Sequence, residues 1–374
     1  MRPEYEVADV LRRNQDHLSK YCANTWQLRT LNALAACRTQ ALGYHVDKCT
    51  NPDCGAIHIT YNSCRNRHCP KCQGHKREEW INKRESELIK TAYYHVVFTL
   101  PDDLNRLCLH KPSKMYALLF KTAWSVIRDF ASNPKFLGAK TGMIAILHTW
   151  GQNLTLHPHL HCIVPGGGIT PSKKWKPAKG KDKYLFPVKA MSKVFRARYV
   201  EGLREITPLD QRLSRELFAK NWMVYCKRPF FGPQQVVEYL GRYTHKIAIS
   251  NHRIKSIDNA QVTFTAKDYR HGDKLYMLSL SDSEFIRRFA MHILPRGFTR
   301  IRHYGFLSNS LKNAVLPILQ EEVGKPQLPE KPPLKHKKCC LCGTGQLITI
   351  MVCSPRGPPA SMWSQGFASF SFSN

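Results

Sequence analysis

Three groups of residues in this chain have types and spacings that suit chemistry. The first is the run His157-Pro158-His159-Leu160-His161-Cys162-Ile163-Val164. On an extended strand alternate side chains point to opposite faces, so His157, His159 and His161 share one face while Leu160, Cys162 and Val164 share the other. A strand that buries its aliphatic face and raises imidazoles from the opposite one is a platform for a divalent cation. The second group is Tyr239-x3-Tyr243, with Gly241 and Arg242 between the two phenols. On a helix they lie on one face, about 6 Å apart along the axis. A phenol with a pKa near 10 is a poor nucleophile at neutral pH, so attack on a DNA phosphodiester needs a Lewis acid at the phosphate. Two imidazoles and one oxygen ligand would hold Mg²⁺ or Mn²⁺ with positions left open for phosphate oxygens. The product would be a 5′-phosphotyrosine and a free 3′ hydroxyl, and a second tyrosine one turn away could accept the next strand.

The third group is cysteine. Cys49-x4-Cys54, Cys64 and Cys69-x2-Cys72 fall between His45 and His75. Paired thiolates at these spacings close a tetrahedron around zinc and staple a module too small to bury a core. Cys49, Cys54, Cys69 and Cys72 make the simplest site; Cys64, His58, His68 or His75 replaces one of them or starts a second. Near the other end, Cys339-Cys340-Leu341-Cys342 is half of a zinc ribbon with Cys353 as a third ligand, and no complete second site is visible. Arg65, Arg67 and Lys71 make the cysteine module basic, and with Arg242, Arg300 and Arg302 they are the expected DNA contacts.

The elements that position these groups follow from periodicity and punctuation. Residues 7 to 42 read as two helical stretches parted near Asn24, and a charged amphipathic helix follows the cysteines over 77 to 92. Residues 93 to 100 read as a strand stopped by Pro101, residues 113 to 131 as a helix with one apolar face, and 143 to 151 as a strand feeding the histidine strand. Residues 191 to 226 look helical, and 235 to 245 form a short helix carrying the tyrosines. Strands follow over 246 to 250, 261 to 267 and 274 to 280, with Asp258-Asn259 at a hairpin turn, then a helix over 283 to 292. The pattern predicts an α+β fold: a central antiparallel sheet with helices on one face, preceded by a zinc module. The expected divisions are a helical segment (1–42), the zinc module (43–76), the catalytic domain (77–320), and a Pro/Lys-rich linker with a partly disordered tail (321–374).

Composition narrows the partner. The chain has 374 residues, 43% of them hydrophobic, and its 57 Lys and Arg outnumber 27 Asp and Glu for a net charge of +30 spread along its length. Such an excess calls for a polyanion, nucleic acid in preference to a membrane surface. The opening residues are polar, and no apolar run approaches the roughly 20 residues that span a bilayer. A cytoplasmic, nucleoid-associated protein is expected, in which cysteines serve metals before disulfides.

In combination, the His159-Leu160-His161 triplet, the downstream Tyr239-x3-Tyr243 and the N-terminal cysteine module resemble one family. It is the two-tyrosine rolling-circle transposases of the insertion-sequence-91 type, within the His-hydrophobe-His endonucleases. Residues 62–73 of the cysteine module and Val97-Phe98-Thr99-Leu100-Pro101 match as well, so the resemblance covers about residues 10 to 350. It implies a ferredoxin-like sheet, His159 and His161 as metal ligands, Tyr239 and Tyr243 as nucleophiles, and nicking of single-stranded element ends. Related nucleases supply a third ligand as a carboxylate or amide, which points to Gln152, with His157 as its rival. A plasmid or phage replication initiator would share this chemistry, and a non-catalytic zinc-dependent DNA-binding protein would share only the cysteines and the charge.

Overall fold

The computed structural model describes residues 3–72, 80–178, 185–226, 236, 247–268, 272, 274–326 and 337–355. They fall into two compact units, one built from Met1–Gln73 and Pro329–Asn374, the other from Gly74–Leu328.

The first unit opens with helices α1 (Val7–Arg13) and α2 (Thr25–Ala35). Asn24 ends the first stretch and caps the second, its side chain accepting from the Gln27 N–H at 3.0 Å. Strands β1 (Tyr44–Cys49) and β2 (Ile57–Tyr61) then pair antiparallel.

The second unit is built on five antiparallel strands. They are β3 (Tyr93–Thr99), β4 (Gly142–Trp150), β5 (Leu156–Pro165), β8 (Val224–Cys226) and β12 (Ile301–Gly305), in the order β12-β4-β5-β3-β8. Helix α3 (Pro112–Ser132) starts with proline at its first turn, where no N–H is needed, and buries Met115, Leu119, Val126 and Ile127 along one face. It packs with α4 (Val188–Ile206) on one side of the sheet, against Val96, Phe98, Ala145, Leu147, Leu160, Cys162 and Val164. The aliphatic face of the histidine strand is thus buried as the alternation requires. The opposite face carries Tyr93, Ile144, Ile146 and Ile163 in a second core with Leu316 and Leu319 of α7 (Lys312–Val323) and with Val236. Between these elements lie the short hairpin β6 (Gly167–Ile169) and β7 (Trp175–Pro177) and the three-stranded sheet β9 (Ile254–Asp258), β10 (Gln261–Asp268), β11 (Lys274–Ser281). At the β9–β10 turn Asn259 and Ala260 take positive φ, 44° and 57°, as a two-residue hairpin loop demands.

Three expectations change. The helix expected over 191–226 is α4, a second helix α5 (Gln211–Ala219) and β8, because Pro208 cannot continue a helix and Asp210 caps a new one by accepting from the Arg212 N–H. Residues 247–250 form no strand, whereas the basic stretch after Arg300 forms β12, paired to β4 through Ile301↔Ile146. The described part of the C-terminal segment is no tail: β13 (Leu347–Cys353) pairs antiparallel with β1 as the third strand of the first unit. Helix α6 (Asp282–Met291), capped by Ser281, lies where the sequence places it.

Candidate functional site

The β5 alternation and the β4–β5 register build one cluster of imidazoles. His159 lies directly across from His148 on β4, and His161 is across from Val97 of β3 on one side and Ile146 of β4 on the other. One ring nitrogen from each of His148, His159 and His161 falls within 4.8 Å of the other two. His148 and His161 are buried, and His159 is half-buried.

Hydrogen bonds fix how these rings present themselves. Nδ1 of His159 lies 2.6 Å from the His157 carbonyl, which can only accept, so Nδ1 carries the proton and Nε2 offers a lone pair. That Nε2 is 3.1 Å from Nε2 of His161. Nδ1 of His161 is 2.9 Å from Nε2 of His95, a buried β3 residue whose ring stacks on it at 5.1 Å and 13°. With Nδ1–H donated to His95, the His161 Nε2 lone pair also faces the centre. In that tautomer two nitrogen lone pairs face each other at 3.1 Å, and the donor set fits a divalent ion bound by neutral imidazoles. His148 meets His161 edge-on at 4.6 Å and is itself backed by the Trp150 ring at 4.7 Å.

Of the two candidates for a third ligand, only His157 has a described contact with the cluster. Gln152 sits in the β4–β5 loop, and its carbonyl accepts from the Arg253 guanidinium. His157 has its ring 5.1 Å from that of His159, and burial pulls its pKa below the ordinary value. His148 was not singled out from sequence: alone in an apolar strand it reads as a core histidine, and only the pairing register reveals it. Tyr239, Tyr243 and Arg242 lie outside the described residues. Their neighbour Val236 is fully buried in the core on the histidine-bearing face of the sheet.

The cysteines regroup. Cys37, Cys64, Cys69 and Cys72 form one set, and Cys49, Cys54, Cys339 and Cys342 another, so Cys49 and Cys54 do not share a site with Cys69 and Cys72. In the first set the sulfurs of Cys37 and Cys72 are 3.5 Å apart, those of Cys37 and Cys69 3.6 Å, and those of Cys64 and Cys72 3.7 Å. A zinc–sulfur bond of about 2.3 Å gives a tetrahedron with edges of about 3.8 Å, so these separations are those of a zinc tetrathiolate. Hydrogen bonding from Cys37, then Cys64 and Cys69, holds Cys72 far below the usual thiol range, while the same contacts drive Cys64 and Cys69 upward. Four sulfurs at this spacing ionise together only around a cation. Cys37, two residues past the end of α2, was not singled out from sequence, since no second cysteine stands at knuckle spacing from it.

The expected DNA contacts divide. Arg65 is exposed, at a positive φ of 51°. Lys71 pairs with Glu6 at 2.5 Å, and burial lowers the pKa of the Arg67 guanidinium. Arg300 donates to the Leu147 carbonyl at 3.1 Å and lies over Trp150, and Arg302 lies 4.3 Å over the Phe120 ring on the helical side of the sheet. Arg302 is therefore a packing cation, a role its sequence position did not suggest.

Comparison with known proteins now decides the family. Residues 10–100 match a family described as "Transposase zinc-binding domain", of the IS91 type, and residues 142–314 match one described as "Putative transposase". "Putative transposase y4qJ" of Sinorhizobium fredii is 39% identical over 96% of this chain and 98% of its own. The chain belongs to the IS91 family of transposases. The "Transposase for insertion sequence element IS801" of Pseudomonas savastanoi pv. phaseolicola is 28% identical over 87% of this chain and 84% of its own length. No solved structure matches. The zinc-binding match spans all four cysteines of the first set, and the transposase match spans His148, His159, His161 and both tyrosines. No helix among the described residues is long and apolar enough to cross a membrane.

Proposed function

We infer that this transposase nicks and rejoins one DNA strand at the ends of its element through 5′-phosphotyrosine on Tyr239 and Tyr243, moving by a rolling-circle route. The observation that carries the reading is the three-imidazole cluster on the sheet face against which Val236 is buried. Tyr239 and Tyr243 follow Val236 by three and seven residues, the intervals that share one face of a helix.

His148, His159 and His161 would hold Mg²⁺ or Mn²⁺, with His148 in the position first given to Gln152. A divalent ion bound there supplies charge stabilisation at the scissile phosphate. The residues do the rest. His95 and the His157 carbonyl fix the tautomers and aim two lone pairs at one point. One tyrosine oxygen attacks phosphorus as the P–O3′ bond breaks, and the proton given up by the phenol is balanced by one taken up on the leaving O3′, which departs as a 3′ hydroxyl. The phosphodiester is exchanged for a phosphotyrosine, so the bond needed for rejoining is conserved, and the second tyrosine serves the second strand. The first cysteine set would hold structural zinc in a basic module bearing Arg65. The relatives' names, both transposases, favour this reading over a replication initiator.

The test is metal-dependent nicking of a single-stranded oligonucleotide containing the element end. Wild type should cleave with Mn²⁺ or Mg²⁺, and His159→Ala/His161→Ala should not. Normal cleavage by that variant would sink the assignment of the histidines.

A further inference from the structure

The zinc-binding match ends at residue 100, and Cys339 and Cys342 lie far beyond it. We propose that Cys49, Cys54, Cys339 and Cys342 form a second structural zinc site that locks the two ends of the chain into one folded unit.

The geometry is that of a built site. Cys49 and Cys342 sulfurs are 3.7 Å apart, and those of Cys54 and Cys339 3.9 Å, again the edges of a zinc tetrathiolate. The two halves repeat one design. Cys54 and Cys342 are each followed by a glycine at positive φ, Gly55 at 51° and Gly343 at 67°, which turns the chain back around the sulfurs. The Asn51 N–H points at the Cys49 sulfur at 3.4 Å and the Gly345 N–H at the Cys342 sulfur at 3.3 Å, donors that spread the charge of thiolates. A Cβ on Gly345 would lie 2.2 Å from the Cys49 sulfur, so the C-terminal knuckle closes on the N-terminal one only because that residue has no side chain. His58 adds a ring nitrogen 3.3 Å from the Cys339 sulfur.

The fold also needs this staple. Of the seven residues of β13 only Cys353 is buried, and Ile348, Ile350 and Val352 are exposed; no residue of β2 is buried. Burial therefore contributes little to holding β13 on β1, and a metal can supply what the core does not. The consequence is topological. The unit carrying the histidine cluster, residues 74–328, leaves and re-enters a unit whose two halves are joined by zinc. Each thiol that reaches the ion protonated releases one proton on binding. The site is independent of the tyrosine chemistry, so a chain forming no DNA adduct would still hold it.

The test is metal content of the purified full-length chain. Wild type should carry two zinc ions per chain, and Cys339→Ser/Cys342→Ser one. Cys340→Ser should keep two, since that exposed thiol is outside the set. Cobalt replacement of wild type, which does not depend on any variant folding, should give the thiolate-to-cobalt absorption of two tetrathiolate sites. One zinc per chain in wild type, cobalt absorption of one site, iron in place of the second zinc, or two zinc ions in Cys339→Ser/Cys342→Ser would each overturn the proposal.

Discussion

His95 makes the account of the histidine cluster testable without touching a ligand. It is 3% exposed, and its Nε2 lies 2.9 Å from Nδ1 of His161. In His95→Phe a ring of similar size keeps the stack, but the acceptor is gone and the His161 N–H is buried unpaired, at a cost of about 1–3 kcal/mol. Protein groups that orient a metal-bound histidine are worth about 10- to 100-fold in metal affinity when removed. The dissociation constant for Mn²⁺, read by titration with electron paramagnetic resonance detection of free ion, should therefore rise by that factor. In His95→Gln the amide oxygen can accept from the same N–H, so most of the affinity should return. Zinc content should stay at the wild-type value in both, because neither cysteine set involves β3. Unchanged Mn²⁺ affinity in His95→Phe, or equal loss in the Phe and Gln variants, would refute the claim that His95 acts by setting the tautomer.

Three further outcomes concern buried imidazoles and two arginines. Burial pushes His292 down to about 4, opposed by its bond to the Leu154 carbonyl, and burial with nearby Arg84 and Lys312 does the same to His303. Because the folded values lie below the ordinary 6.5, the unfolded chain takes up these protons first. Stability is then present above about pH 6.5 and lost as pH falls toward 4, by up to about 3 kcal/mol for His292. Urea midpoints across that window should fall less steeply in His292→Gln, and equal slopes would contradict the assignment. Arg302→Ala should lower thermal stability by about 1–2 kcal/mol through lost stacking on Phe120 and Phe298, with the salt dependence of DNA binding unchanged. Arg65→Ala should do the reverse, reducing the salt slope of DNA binding by about one with no loss of melting temperature; no change in that slope would remove Arg65 from the DNA contacts.

The sheet and its two faces were legible in the sequence because they rest on local period. The β5 alternation, the Pro101 stop after β3 and the Asn24 cap of α2 each speak through a few adjacent residues. What stayed hidden depends on contacts remote in sequence. His148 joins the cluster through the β4–β5 register, which no spacing announces. Cys37 looks like an isolated thiol, and Cys339-x2-Cys342 like half of a site, until tertiary packing brings each to its partners, so pairing the nearest knuckles, Cys49-x4-Cys54 with Cys69-x2-Cys72, was the natural mistake. Strand β12 was obscured for a different reason. Its arginine, Arg302, reads as a DNA contact, but on an edge strand the aliphatic and planar parts of such a side chain stack on neighbouring rings.

The central claim is that Tyr239 and Tyr243 carry DNA as 5′-phosphotyrosine. The direct measurement is mass spectrometry of tryptic peptides after wild-type protein reacts with a single-stranded element-end oligonucleotide and Mn²⁺. The account predicts a nucleotide 5′-phosphate on the peptide carrying Tyr239 or on the one carrying Tyr243, which trypsin separates at Arg242, lost in Tyr239→Phe/Tyr243→Phe while zinc content is retained. A covalent phosphate on any other tyrosine, or an adduct that survives in that double variant, would contradict it.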